Sequence, residues 1–325
     1  MSSSEISSRT FTAAAVPAQP RIAVLLPCYN EEIAIGDCVR AFRAALPEAA
    51  IYVYDNNSKD RTAEAAREAG ALVRTEPLQG KGNVVRRMFA DIDADVYVMA
   101  DGDNTYHAPS APMMIEKLRA ENLDMVVGSR RASYESATYR RGHRTGNFVI
   151  TWTVALLFGD RFKDMLSGYR VFSRRFAKTF PALSAGFDIE TELTVHTLSI
   201  NLPSAEIETP YAARPAGSVS KLNTWRDGFR ILRAIVNLFR DERPLAFFSL
   251  MAAALAIVSV VLAAPLFVTF FETGLVPRLP TALLSASLML LAFLSLISGL
   301  ILDTVSQGRR ETKRLHYLSH KPPGQ

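Results

Sequence analysis

The tripeptide Asp101-Gly102-Asp103 ends an apolar run, Tyr97-Val98-Met99-Ala100. Two carboxylates in that place cannot lie inside a core unpaired. Paired oxygens of this kind suit a hard divalent cation, and a cation there suits a diphosphate. Alone, the stretch reads equally well as a polar turn with Gly102 as its turn residue. Two other stretches have the same form. Tyr29-Asn30-Glu31 follows the apolar run that ends at Pro27, and Asp55-Asn56-Asn57 follows Ile51–Tyr54. A carboxylate at Asp55 can accept hydrogen bonds from a ribose or a base edge. Three polar exits from apolar runs, gathered on one edge, make a ligand site the better account of all three.

The elements that would gather them follow from the hydrophobic pattern. Buried strands are expected over 21–27, 51–54, 71–73, 95–100 and 124–128. Glu31 and Glu32 open a helix whose Ile35, Val39, Phe42 and Leu46 share one face. Asp60 is a suitable N-cap for a second helix and Gly70 its stop. A third helix follows Gln79-Gly80-Lys81-Gly82-Asn83. Strands alternating with helices from 21 to 129 predict an α/β domain built on a mostly parallel sheet with helices on both faces. No Gly-x-Gly-x-x-Gly follows the first strand, which disfavours the usual dinucleotide fold, and Gly80-Lys81-Gly82 lacks the spacing of a phosphate-binding P-loop.

Hydrophobic residues make up 49% of the 325-residue chain, high for a soluble protein, so a soluble part joined to a membrane part is expected. Ala246–Phe271 and Leu279–Leu302 contain no charged residue. Each exceeds the roughly 20 residues a helix needs to cross a bilayer. The connection at 272–278 is short, which predicts a hairpin. Before it, residues 229–245 read as an amphipathic juxtamembrane helix, lying on the membrane in preference to packing on its own domain. Arg240 and Arg243 precede the first span, and Arg309, Arg310, Lys313, Arg314 and Lys321 follow the second. The positive-inside rule then places both ends and the domain over 21–228 in the cytoplasm, at a bacterial inner membrane. Residues 1–20 read as a disordered tail, and 303–325 as a basic cytoplasmic tail. The net charge of +5 fits anionic partners. Nucleic acid is disfavoured, because the basic residues lie beside a span without regular aromatic interleaving. Cys28 and Cys38, the only cysteines, fall at a strand end and inside a helix, so no disulfide is expected.

The motifs together resemble the family-2 inverting glycosyltransferases, which have the GT-A fold and an Asp-x-Asp signature. The resemblance rests on Pro27-Cys28-Tyr29-Asn30-Glu31-Glu32, Asp55-Asn56-Asn57-Ser58-Lys59-Asp60, Gly80-Lys81-Gly82 and Asp101-Gly102-Asp103. Within the family the chain is most similar to the polyprenyl-phosphate branch, the dolichol-phosphate mannose synthases and bactoprenol-phosphate glucosyltransferases. Gly128-Ser129-Arg130, Asp164 through Ser167-Gly168-Tyr169-Arg170, Glu190-Thr191-Glu192, Tyr211-x-x-Arg214 and Ser220-Lys221-Leu222 carry that part. His107 departs from the proline expected after Tyr106, which leaves its role open.

The resemblance implies a nucleotide diphosphate sugar as donor and Mg²⁺ or Mn²⁺ on Asp101 and Asp103. Pro27, Tyr29, Asn30, Glu31, Asp55, Asn57, Lys81, Asp101 and Gly102 would line the donor. The acceptor would be a polyprenyl phosphate lipid, already largely dianionic at neutral pH, so it needs positioning and charge neutralisation more than a base. Arg130, Arg144, Arg170, Arg214 and Lys221 are the candidate cations, since guanidinium geometry suits phosphate oxygens. Asp103, Arg130 and Asp164 are the candidate catalytic residues. A homo-oligomer is left open. The apolar run Phe148–Phe158, with Trp152, reads either as an interfacial helix or as a core helix. Two other functions compete. A hydroxyl acceptor on another membrane lipid would need a base, such as Asp164 or Glu192. A membrane-tethered nucleotide-sugar sensor would need no chemistry.

Overall fold

The computed structural model describes residues 20–132, 162–186, 188–215, 217 and 224–323, with 131, 132 and 224–231 described in backbone only. All but the last residue of the expected tail, the Phe148–Phe158 segment, Arg144 and Lys221 lie outside the described residues.

Seven strands form one sheet: β1 (Ile22–Cys28), β2 (Ala50–Asp55), β3 (Leu72–Thr75), β4 (Val96–Met99), β5 (Met125–Ala132), β6 (Arg170–Ser173) and β7 (Ser204–Tyr211). Their order is β3-β2-β1-β4-β6-β5-β7. All run parallel except β6, which is antiparallel to both β4 and β5. The sheet is therefore mostly parallel, as the alternating pattern implied. β6 and β7 were not expected. β6 is four residues long and buried throughout, too short to show a period. β7 carries Glu206, Glu208 and Pro210, which its place at the sheet edge tolerates.

The helices are α1 (Ile35–Ala45), α2 (Thr62–Glu68), α3 (Lys81–Asp91), α4 (Ala111–Ala120), α5 (Arg174–Thr179), α6 (Ile189–Ser199), α7 (Thr224–Glu242), α8 (Pro244–Thr273) and α9 (Leu279–Leu318). They cover both faces of the sheet. Leu25, Met99 and Phe172 point to one face, against Met88 and Phe89 of α3 and Leu193 of α6. Val24, Leu26 and Val98 point to the other, against Val39 and Phe42 of α1 and Leu118 of α4. Burial on both faces is why these strands read as continuous apolar runs. Each such side chain contributes roughly 1.5–3 kcal/mol on removal from water.

α8 and α9 are long and apolar enough to cross a membrane. They pack through small residues: Ala252 and Ser259 of α8 meet a row that includes Ser285, Ala292, Ser295 and Gly299 of α9. Ser259 Oγ donates to the Ser285 carbonyl at 2.8 Å, and Ser285 Oγ returns the bond at 2.9 Å. Close backbone approach and shared hydroxyls are the interactions that hold helices together where lipid removes the hydrophobic drive. The remaining surface is apolar and exposed, as at Leu250, Phe271 and Ile301. α9 continues past its last apolar stretch to Leu318 as one helix.

Candidate active site

Parallel strands deliver their C-terminal ends to one edge, and the expected polar exits meet there. β1 ends at Cys28, β2 at Asp55, and β4 leads into Asp101. The antiparallel β6 contributes the other way round, since the turn preceding it, Asp164–Tyr169, lies on this edge too. A Cβ on Gly168 would stand 3.0 Å from an Asp101 carboxylate oxygen and 3.1 Å from Lys81 Nζ. Gly102 is equally constrained: a Cβ there would sit 2.3 Å from Cys28 Sγ. That glycine lets the loop between the two aspartates lie against the end of β1.

The β1 and β2 exits are locked to each other. Asn30 adopts a left-handed backbone with φ of 53°. Its backbone N–H donates to Ser58 Oγ, and its Oδ1 accepts from the Lys59 N–H. Asn56 joins this edge to the following loop by accepting from the Gly80 N–H at 2.7 Å and donating to the Glu76 and Leu78 carbonyls. Asn57 gives its amide to the Pro77 carbonyl on the exposed rim. Asp55 is 8% exposed and accepts from the Ser58 N–H through Oδ2, while its Oδ1 is buried without a hydrogen-bond partner. An unpaired buried carboxylate oxygen is costly unless a ligand donates to it. Pro27 and Tyr29 are half-buried beside it.

Asp101 and Asp103 each meet a cationic side chain. Lys81 bridges Asp101 and Glu190, the latter at 2.5 Å. Burial alone would lower the Lys81 ammonium, but Asp101 and Glu190 outweigh it and hold the group above the ordinary lysine range. Arg214 bridges Asp103 at 2.6 Å and Glu31 at 3.1 Å. Asp103 also accepts from the Thr105 N–H and hydroxyl. Burial, then Asp101, raise its carboxyl above the usual carboxylate range despite Arg214. Four carboxylates thus converge on two cations. Among the described residues, no three His, Cys, Asp or Glu side chains surround one point. A hard dication fits here only by drawing its remaining ligands from a bound diphosphate and water, which is how Mg²⁺ is ordinarily held.

Arg130, beyond the middle of β5, presents a fork to Asp164: Nε to Oδ2 at 2.8 Å and Nη2 to Oδ1 at 2.7 Å. Its guanidinium lies 5.7 Å from the Tyr211 ring centroid. Tyr106 packs between Tyr169, tilted against it, and Tyr211, edge-on to it, and accepts from the Gly168 N–H at 2.8 Å. This aromatic floor ties the Asp103 loop to the end of β7.

Arg170, expected among the acceptor cations, lies instead inside the fold. It is fully buried, and its guanidinium donates to the carbonyls of Ser167, Met165 and Glu190. Burial pulls it down to about 10. It holds the turn before β6 together and does not reach the cleft as an acceptor ligand. Glu192 is likewise engaged, accepting from the backbone N–H groups of Leu183 and Ser184. That loop in turn packs on α3, where a Cβ on Gly82 would come within 2.0 Å of the Ser184 carbonyl. His107 pairs with Ser110 Oγ at 2.9 Å and is a turn residue.

Glu190 and Tyr106 are site residues that sequence reasoning left without a role. The signal for Glu190 was its place in Glu190-Thr191-Glu192 at the start of a helix. For Tyr106 there was none beyond its nearness to Asp103. Both cysteines are free and buried.

Residues 23–180 match the description Glycosyl transferase family 2. The chain is 36% identical over 234 residues to glycosyltransferase AglJ of Haloferax volcanii, covering 72% of this chain and 77% of that protein. It is 29% identical over 222 residues to the dolichyl-phosphate hexose transferase of the same organism, covering 68% of this chain and 95% of that one. In fold it is similar to glucosyl-3-phosphoglycerate synthase of Mycobacterium tuberculosis, crystallised with Mn²⁺, UDP-glucose and phosphoglyceric acid. That likeness has a TM-score of 0.55 at 22% identity and covers 69% of this chain and 80% of that one. With its strand-end carboxylates in place and the match over 23–180, the chain belongs to glycosyl transferase family 2.

Proposed function

We propose that this glycosyltransferase moves a hexose, with inversion, from a nucleotide diphosphate sugar to a polyprenyl phosphate at a membrane surface. The observation that carries the reading is the meeting of Asp101 and Asp103 with Arg214 and Lys81 on the same sheet edge as Arg130. Carboxylates suit the donor's metal–diphosphate end, and cations suit a phosphate acceptor. Asp55 Oδ1 is an acceptor awaiting a donor from the nucleoside. The likeness to a protein named dolichyl-phosphate hexose transferase supports the lipid acceptor.

A divalent ion held by Asp101 and Asp103 would offset the charge that develops on the departing diphosphate. An acceptor phosphate oxygen attacks the anomeric carbon from the face opposite that leaving group, so the new bond has inverted configuration. The acceptor is already an anion, and no proton need be removed. Arg130 holds it, oriented in turn by Asp164. Arg214, on Asp103 and Glu31 here, is placed to turn its fork to a phosphate if a bound donor were to engage those carboxylates. The hydroxyl-acceptor alternative is less well supported, because Asp164 and Glu192, the bases it would need, are committed to Arg130 and to backbone N–H groups. Two apolar helices suit anchoring, with the catalytic domain and both termini on the cytoplasmic side.

The test is a transfer assay. Purified protein in detergent is given Mg²⁺ or Mn²⁺, a panel of UDP- and GDP-sugars, and either polyprenyl phosphate or diacylglycerol. A lipid-linked sugar from polyprenyl phosphate is expected. Product only from diacylglycerol would overturn the assignment.

A further inference from the structure

α9 leaves its apolar stretch at Leu302 and continues to Leu318 without a break. At 1.5 Å per residue this arm is roughly 24 Å long. Its tip is anchored in the catalytic domain. Tyr317 Oη donates to Asp124 Oδ2 at 2.8 Å. Asp124 is fully buried and also accepts from Ser173 Oγ at 2.7 Å and from Arg175 Nε at 2.5 Å. The Arg175 guanidinium lies 4.6 Å from the Tyr317 ring centroid. Burial, then Asp124, hold the phenol above its ordinary range, so it stays a donor. Nearer the membrane, Lys313 pairs with Glu242 at 2.9 Å, at the end of α7.

Asp124 precedes β5, whereas Arg130 lies toward the strand's other end. Five strand residues lie between them, and the six steps of rise span roughly 20 Å. Tyr317 therefore cannot touch the reactants. It makes a further attachment between hairpin and domain, one helical turn beyond the Lys313–Glu242 pair at the α7–α8 junction. A domain held only at that junction can pivot about it, while a second hold on the sheet through Asp124 resists the pivot.

We propose that Tyr317, seated on Asp124 and Arg175, is a positioning residue that holds the cleft where it can meet an acceptor carried in the bilayer. The acceptor part rests on the function proposed above; the height part does not. The experiment has two readouts on full-length protein in phosphatidylcholine–phosphatidylglycerol vesicles. A fluorophore on Met113→Cys, at an exposed position of α4 and selective because both native cysteines are buried, reports energy transfer to a dye-labelled lipid. Kinetics compare vesicle-borne polyprenyl phosphate with a short-chain, water-soluble prenyl phosphate. In Tyr317→Ala the transfer distribution should broaden. KM for the vesicle-borne acceptor should rise about tenfold, the scale of one lost hydrogen bond to a charged group. KM for the nucleotide sugar, and turnover with the soluble acceptor, should stay unchanged. Tyr317→Phe, which keeps the ring over Arg175, should fall between and guards against a folding defect. An unchanged distribution, or equal losses with both acceptors, overturns the proposal. A broadened distribution in a protein whose wild type glycosylates no prenyl phosphate would sustain the clamp and sink the function.

Discussion

Asp101 and Asp103 stand two positions apart yet sit in different surroundings. Asp103 is 3% exposed and tied to Arg214 and Thr105, and burial raises its carboxyl. Asp103→Asn keeps the shape and removes the charge. It should lower transfer by at least about 10²–10³-fold with folding intact, the scale of a lost electrostatic catalyst. A variant with undiminished turnover would remove Asp103 from the ion site. Arg130→Lys would lose the two-pronged bond to Asp164 and should raise acceptor KM by about tenfold while leaving donor KM alone. Equal shifts in both constants would contradict its assignment to the acceptor. His196 gives a prediction independent of activity. It is buried against Phe176 and Phe180, and burial pushes it from 6.5 down to about 3. The unfolded chain takes up this proton near pH 6.5 and the folded one does not until near pH 3. Its contribution is therefore full above pH 6.5 and is lost as pH falls through that window, at about 1.4 kcal/mol per pH unit. His196→Leu should flatten that slope in denaturant titrations, and an unaltered slope would rule out His196 as its source.

Among elements, the turn between β6 and the site shows how the sequence pattern succeeds and fails. β1, β2 and β4 were legible because a strand covered on both faces is apolar throughout, and their polar exits stood out against it. β6 was not, because four buried residues carry no period and begin with an arginine. For the same reason Arg170 read as a phosphate ligand: nothing in the chain's local chemistry distinguishes a cation facing a cleft from one folded inward onto three carbonyls. Lys81 and Arg214 were named as donor and acceptor contacts, but their pairing with Asp101 and Asp103 was hidden. Lys81 and Arg214 lie far from them in sequence, and only the sheet order brings them together. The loop over 183–185 is a further element of the site, held on one side by Glu192 and on the other by glycine-limited contact with α3. Gly82→Ala would drive a methyl group into the Ser184 carbonyl and should cost about 1–3 kcal/mol of stability. It should also weaken donor binding, since Lys81 precedes it. Wild-type melting temperature and donor affinity in that variant would show the contact to be slack.

At the scale of the whole molecule, the proposed metal–diphosphate clamp and the proposed cationic acceptor site share one sheet edge in a protein carrying two bilayer-length helices. Family membership was legible as a resemblance carried by the motif set, the mostly parallel sheet from strands alternating with helices, and the hairpin from two uncharged stretches. The docking of the α9 arm on Asp124 was not, since a lone tyrosine beyond a basic segment signals nothing by itself. The most direct measurement is the chemical identity of the bond the enzyme makes. The lipid product formed from polyprenyl phosphate and the preferred nucleotide sugar should give a phosphodiester signal in ³¹P NMR. Its anomeric proton coupling should correspond to the configuration opposite to the donor's. A product with the donor's configuration, or a sugar joined to a lipid hydroxyl with no phosphorus in the linkage, would contradict the account.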